Sequence, residues 1–324
     1  MKQMIRTLLG ATALLLAGTG LAAAQAYPSK PVRVVVAWPP GSIIDVLMRI
    51  MSEPLSTELG QPVVIDNKGG ATGVIGADLV AQSPPDGYTL LFTSAALNMV
   101  KAMGQKTPYE MPESFTPVVN TAWSPMVLVA HPSLNLKTPQ DLVALARQKP
   151  GQLFYATSGN GAPSHFTAEL FRYRTGIQAT SVAYRGSPQA MTDQIAGQVQ
   201  FHFAVSSTAL PQVNEGKVTA LGVTSKKRLD VAPNIPTMEE QGFANFQASY
   251  WNGLLGPKGL PLPIAERLAT AVNKVLVNPD VLRRAAPSAN EIDGRSTPQS
   301  FATLIAEDYK TWAEVAKVAN IKPE

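Results

Sequence analysis

The chain has 324 residues, 45% of them hydrophobic, with 27 basic against 23 acidic side chains, three histidines and no cysteine. That composition is ordinary for a globular protein and, at this length, favours two domains over one. It excludes disulfides and a lipid anchor on an N-terminal cysteine, and the absence of a basic stripe interleaved with aromatics speaks against a nucleic-acid partner.

Residues 1–26 read as a secretory leader. Lys2 and Arg6 form a basic head, 8–21 is apolar but too short and glycine-interrupted to span a bilayer, and Ala24-Gln25-Ala26 is a small-x-small cleavage site. Cleavage before Tyr27 leaves 25 basic and 23 acidic side chains, a net charge of +2. No later segment is long and apolar enough to cross a membrane, so the sequence predicts a soluble, unanchored protein of the periplasm.

In chain order, Val32 to Val36 is the β-branched run of a strand buried on both faces. Trp38-Pro39-Pro40-Gly41 turns the chain, and Ser42 with Asp45 three residues on has the capping-box form of a helix start. Val46, Leu47, Ile50 and Met51 carry that helix, which Pro54 is expected to kink or end near Ser52. A strand, a tight loop and a helix start aim free backbone N–H groups at one spot, which suits an anion without a cationic side chain. A strand over 62–67 runs into the glycine-rich Lys68 to Asp78 and a helix over 75–81. This stretch lacks both the G-x-G-x-x-G spacing and a G-K-[ST] ending, so its glycines are read as permitting close helix–strand packing and positive φ, not nucleotide binding. Beyond the Pro84-Pro85-Asp86-Gly87 turn, a strand over 88–93 puts Ser94 and Ala95 at its carboxyl end, where α/β folds place ligand contacts.

Strands over 115–122 and 126–130 cross toward a second unit that repeats this plan. A helix opens at Thr138-Pro139, and a strand over 154–157 leads through Ser158-Gly159-Asn160-Gly161-Ala162-Pro163-Ser164-His165 into a helix over 166–174. Val182-Ala183-Tyr184-Arg185-Gly186-Ser187 leads into a helix over 189–196, and a strand over 199–205 ends in Ser206-Ser207-Thr208. A strand over 220–224, a solvated Lys226-Lys227-Arg228 turn and a short helix opened by Pro236-Thr237-Met238-Glu239-Glu240 follow. A strand over 248–255 is the second crossing, and amphipathic helices over 263–276 and 298–318 are expected to pack back on the first unit. Two α/β units, 27–123 with 248–324 and 124–247, joined by two crossings, form the layout of a hinged binding protein with its ligand in the cleft between them.

An exported hydrolase is the rival reading. Ser164 and His165 are adjacent at a helix start and diverge by about 100°, and no G-x-S-x-G elbow occurs. His131, His165 and His202 have no metal-ligand spacing. No catalytic residue, metal ligand or cofactor is therefore assigned. A third class, the effector-binding half of a transcription regulator, would carry a helix-turn-helix and no leader.

Several motifs recur together. Tyr27-Pro28-Ser29-Lys30-Pro31, the Pro39-Pro40-Gly41-x-x-x-Asp45 loop, Gly73-x-x-Gly76-Ala77 and Pro85-Asp86-Gly87-Tyr88-Thr89-Leu90-Leu91 come first. Ser158-Gly159-Asn160-Gly161, Tyr184-Arg185-Gly186-Ser187 and Trp251-x-Gly253-Leu254-Leu255 follow. As an ordered set across the whole mature chain they resemble the Bug family of periplasmic solute-binding proteins of tripartite tricarboxylate transporters.

The resemblance implies a type II periplasmic binding fold, two α/β domains with a ligand cleft between them. It implies a small carboxylate ligand held by backbone amides, Ser/Thr hydroxyls and waters, and a monomer that delivers it to an inner-membrane permease. Some members of the family also serve as sensors for two-component systems. With the reading of the residues, the implied ligand-binding set is Pro40, Gly41, Ser42, Ile43, Ile44 and Asp45 on the first loop, and Ser94. From the second unit come Ser158, Asn160, Gly161, Ala162 and His165, then Tyr184, Gly186 and Ser187, and finally Ala204 and Val205. Neutral donors near Ser42, Ser94, Ser158, Gly161 and Ser187 are expected to hold the carboxylate. Arg185, where the family carries Lys, is expected to point to solvent. Ser42 stands for a loop glycine of the family, Ile44 for a polar residue and Ala204-Val205 for an Asp-Asn pair. These departures favour a carboxylate with an apolar body, aromatic or medium-chain, over citrate, malate or aspartate.

Overall fold

A run of valines needs a partner on each face, and the first strand finds them. The computed structural model describes residues 27–323, so the expected leader lies outside the described residues. β1 (Val32–Val36) is buried except at Arg33, whose guanidinium pairs with Asp66 on the neighbouring strand. The chain continues through α1 (Ile43–Leu59), β2 (Val63–Asn67), α2 (Val74–Ala81), β3 (Thr89–Ser94), α3 (Ala96–Ala102) and β4 (Phe115–Ser124). A second set follows: β5 (Met126–Ala130), α4 (Pro139–Gln148), β6 (Leu153–Thr157), α5 (Pro163–Thr175), β7 (Ala179–Ala183), α6 (Ser187–Ile195), β8 (Phe201–Val205), α7 (Ser206–Asn214) and β9 (Thr219–Val223). The chain then returns as β10 (Tyr250–Pro257), α8 (Leu262–Leu276), α9 (Pro279–Ala285), β11 (Glu291–Ile292) and α10 (Pro298–Val318).

These strands make two sheets, ordered β11-β4-β10-β3-β1-β2 and β7-β6-β8-β5-β9. β1 is parallel to β2 and β3, and β6 to β7 and β8, so in each sheet a set of carboxyl ends shares one edge. β10 enters the first sheet antiparallel between β3 and β4. Only Pro125 separates β4 from β5. Lacking an N–H, it cannot extend a ladder, and its carbonyl accepts instead from the Ser206 N–H at 3.3 Å and hydroxyl at 2.8 Å. The return segment lies beside this crossing: the Ala248 N–H donates to the Thr224 carbonyl, and the Asn252 amide to the Ser124 hydroxyl at 2.7 Å.

The C-terminal helix does more than pack back on the first unit. Its Asp308 accepts from Asn98 on α3 (2.7 Å), Trp251 on β10 (2.9 Å) and its own Trp312 (2.8 Å). Burial pushes that carboxyl up to about 6, against the pull of the three donors. Trp312 then packs edge-on against Phe166 of α5, 5.8 Å between centroids, so α10 bridges the units.

Several local expectations are corrected. α1 runs through Pro54, because the buried Leu47, Met48, Met51, Leu55 and Leu59 hold one apolar face continuous while the proline sits on the half-exposed side. The segment opened by Pro236 is a turn, not a helix: Thr237 and Glu240 exchange capping bonds at 2.7 and 3.0 Å, but Gly242 at φ +82° ends the structure one turn later. α5 and α6 begin earlier than expected, with Pro163 and Ser187 as their first residues. The helices α3, α7 and α9 have no counterpart among the expected elements. Every residue of α3 from Ala96 to Val100 is buried, so it has no amphipathic period, and α7 opens on hydroxyl residues.

One buried group makes stability depend on pH. His202 on β8 is fully buried, and neither ring nitrogen has a hydrogen-bond partner among the described residues. Burial therefore pushes the imidazole from 6.5 down to about 3. The unfolded chain takes up this proton more readily, so the contribution is intact above pH 6.5 and is lost as pH falls toward 3. From pH 7 to pH 5 the native state is expected to lose about 2 kcal/mol through His202. Asp308 acts in the opposite direction over the same range. Urea unfolding at both pH values, on the native protein and His202→Leu, isolates the histidine: the native protein should lose about 2 kcal/mol more than the variant. An equal loss in both would show that His202 does not stay neutral.

Candidate functional site

The first loop is shaped by a carboxylate that never reaches the surface. Asp45 is 1% exposed, and its oxygens accept from the Gly41 N–H (2.8 Å), Arg49 Nε (2.9 Å) and Asn67 Nδ2 (2.8 Å). Burial alone would raise its carboxyl, but the bonds from Arg49, Gly41 and Asn67 outweigh it and hold the group below the usual range. Asn67 also donates to the Trp38 carbonyl at 3.1 Å. Asp45 thus clamps the Trp38–Ser42 loop instead of contacting the space above it. The reach back goes to Gly41, one residue before the cap, so the expected capping box is only half formed. The Ser42 hydroxyl accepts from the Asp45 N–H at 3.3 Å.

Above this loop lies a cavity of about 620 Å³ to which both sheets contribute. From the first come Trp38, Pro39, Pro40, Gly41 and Ser42, the α1 residues Ile43, Ile44 and Val46, and Ser94 at the end of β3. From the second come Ser158 after β6, Pro163 and Ser164 opening α5, Gly186, Ser187, Pro188 and Gln189 at the start of α6, and Val205, Ser207 and Thr208 where β8 turns into α7. Arg185, Tyr250 and Ser288 complete the lining. The starts of α1, α5, α6 and α7 therefore meet at one space. The caps of α5, α6 and α7 (Ala162, Gly186 and Val205) make no side-chain bond, so these helix ends keep their partial positive charge toward the cavity. Among the described residues no acidic side chain lines the cavity, and Arg185 is the one formally charged residue in the lining. Burial raises the Tyr250 phenol, which stays neutral.

The remaining expected residues stand behind the lining. The Asn160 carbonyl accepts from the Thr72 hydroxyl at 3.0 Å, joining the glycine-rich loop of the first unit to the Ser158 loop of the second. Thr72 holds φ +55°, a left-handed conformation unusual for a β-branched side chain. Gly161 backs onto α3, where an added Cβ would lie 2.6 Å from Met103 Cε. Ala162 is buried as the α5 cap, and the His165 Nδ1 accepts from the Gly161 N–H at 3.2 Å. The Tyr184 hydroxyl donates to Asp193 at 2.9 Å. Ala204 faces the core with Val127 and Val129, while Val205, next along the alternating strand, reaches the cavity. In the glycine-rich loop, a Cβ on Gly76 would lie 2.8 Å from the Lys68 carbonyl, which is the close packing its glycines were expected to permit. Sequence reasoning missed Trp38, Ser207 and Thr208, whose signal was their place just past a strand end. Tyr250 and Ser288 come from distant segments and carried no local signal.

The model of the tripartite tricarboxylate transporter family receptor matches residues 47–321. The chain belongs to that family. It is 34% identical to Protein BugT of Bordetella pertussis, over 97% of this chain and 98% of that one. A R. palustris protein solved with adipate is 31% identical and superposes with a TM-score of 0.86, covering 92% of this chain and all of that one (100%). MatC of Rhodopseudomonas palustris, solved with bound malate, is 29% identical with a TM-score of 0.82, over 89% and 99% of the two chains. Solved periplasmic binding proteins share the architecture, so the fold is the type II periplasmic binding fold expected from the sequence. Members of this family are binding receptors, and the chain is a receptor, not an enzyme.

The clamp under the first loop is open to test. Asp45→Ala removes the acceptor of the Gly41 N–H and one acceptor of Asn67, and should cost about 1–3 kcal/mol of stability in urea unfolding at neutral pH. Arg49→Ala removes the ion pair to the buried carboxylate and the Arg49–Asn67 bond but leaves the Gly41 and Asn67 donors on Asp45, and should cost less than Asp45→Ala. Equal losses would mean that the ion pair, not the loop bonds, carries the effect.

Proposed function

We propose that this receptor works in the periplasm as a monomer, captures a small carboxylate with an apolar body and delivers it to a tripartite tricarboxylate transporter permease. The two sheets are the cores of two domains, 27–123 with 248–324 and 124–247, which close on the ligand. The observation that carries this reading is the convergence of four helix starts, three without side-chain caps, on a hydroxyl-rich cavity with no acidic side chain among the described residues. Such a site satisfies a carboxylate with neutral donors: the Ser42, Ser94, Ser158 and Ser187 hydroxyls and nearby backbone amides.

Beside these donors stand Ile43, Ile44, Val46 and Val205. A hydroxylated or aminated ligand laid against them leaves polar groups unpaired, at about 1–3 kcal/mol each. A ring or alkyl chain there gains roughly 25 cal/mol per Å² buried. The likeness to a relative solved with adipate supports a methylene body, and the one solved with malate sets the contrast to be tested.

Competition binding of aliphatic and aromatic carboxylates against citrate, malate and aspartate decides the matter. An alkyl or aromatic carboxylate should bind at least about tenfold tighter than each of the three. Tighter binding of citrate, malate or aspartate than of every apolar-bodied ligand would refute the apolar reading.

A further inference from the structure

We propose that Thr72 is a positioning residue for ligand capture: its hydroxyl holds the Ser158 loop across the cleft and tightens the binding of every ligand without touching one. This rests on the closure of two units on a carboxylate proposed above, and it assigns part of the affinity to a residue outside the cavity. The Thr72 hydroxyl donates to the Asn160 carbonyl at 3.0 Å, from the first unit to the second. Neither residue is among those that line the cavity, and neither belongs to the strands that cross between the units. A bond between loops of opposite units, away from the crossings, breaks when the units swing apart and forms again when they close.

The backbone at Thr72 shows that its side chain is kept against a local preference. Residues 70–73 all have positive φ: Gly70 +132°, Ala71 +47°, Thr72 +55° and Gly73 +93°. Glycine enters this region without steric cost, whereas a β-branched side chain there is disfavoured. An outlier of this kind points to a role for the side chain, and the hydroxyl that reaches Asn160 supplies one. The facing loop comes close enough to receive it. Gly159 holds φ +134°, and a Cβ added there would lie 3.9 Å from the Thr72 hydroxyl oxygen, while Gly161 lies against Met103 of the first unit. Asn160 stands between these two contacts. Two residues before it, Ser158 lines the cavity, and its N–H and hydroxyl both meet the Ser164 hydroxyl, at 2.8 and 2.9 Å. Fixing Asn160 thus fixes two hydroxyls offered to the ligand. A residue that favours the closed arrangement changes the apparent affinity of every ligand that needs closure by one common factor. A residue that touches the ligand changes each one differently. Because the bond belongs to the closed state, it slows release and leaves encounter unchanged.

Titration calorimetry with adipate, malate and benzoate on the native protein, Thr72→Ala, Thr72→Ser and Ala71→Gly tests the assignment. Thr72→Ala deletes the hydroxyl, and Ala71 beside it shows that alanine fits this turn. Each ligand that binds the native protein should bind Thr72→Ala more weakly by the same factor, about three- to tenfold. Stopped-flow tryptophan fluorescence, for which Trp38 in the cavity lining is a reporter, should show faster release at an unchanged association rate. The melting temperature of ligand-free Thr72→Ala should not fall. Thr72→Ser keeps the hydroxyl, and Ala71→Gly loosens the same turn with the hydroxyl in place; both should bind within about twofold of native. Native affinity in Thr72→Ala overturns the proposal, as does a loss that differs from ligand to ligand. A loss of the same size in Thr72→Ser or Ala71→Gly also overturns it, because the backbone of the turn would then carry the effect. A lower melting temperature of ligand-free Thr72→Ala overturns it as well, by making the bond a support of the fold. Binding of none of the three to the native protein would instead refute the carboxylate reading, and this inference with it.

Discussion

Two strand crossings govern the molecule. β4 passes from one sheet into the other through Pro125 alone, and the return into β10 runs beside it, tied by bonds from Ala248 to Thr224 and from Asn252 to Ser124. Because the connection is short and made of strands, the two sheets stand with a cavity bounded by the ends of both. The helix starts at that cavity follow from the order of elements: a parallel strand must be followed by a crossover, and the crossover helix begins at the strand's carboxyl end. Anion-binding geometry is thus a product of topology before any side chain is chosen.

Side chains then divide into those that face the cavity and those that hold the facing loops. Asp45, Asn67 and Trp38 form the clearest holding set, with a buried carboxylate fixing a loop built of two prolines and a glycine. Thr72 and Asn160 tie loops of opposite units, and Gly161 allows its loop to lie against Met103. Residues of this second kind are easily mistaken for ligand contacts, since both kinds occupy the same short loops.

That confusion marks the limit of what the sequence made legible. The β-branched run at 32–36, the Pro-Asp-Gly turn before β3 and the strand–loop–helix repeats could be read locally, because each carries its own punctuation. α3 could not. Its Asn98 donates to the carbonyl of Ile305 and to Asp308, more than 200 residues later in the chain, and an all-round buried helix has no period to detect. Thr237 and Glu240 carry a helix-start signal that tertiary packing overrides, and Pro54 a helix-stop signal that a continuous buried face overrides. At the site, hydroxyls past strand ends were visible, but which way Arg185, Tyr184 or Ala204 turned depended on strand alternation and on partners elsewhere.

The central claim is that a carboxylate ligand is enclosed between two units that move about the crossings. Small-angle X-ray scattering of the protein, alone and saturated with the carboxylate that calorimetry finds tightest, tests it most directly. The radius of gyration should fall on binding, and the bound profile should match that calculated from the arrangement in which Thr72 meets Asn160. Calorimetric binding with an unchanged scattering profile would contradict it.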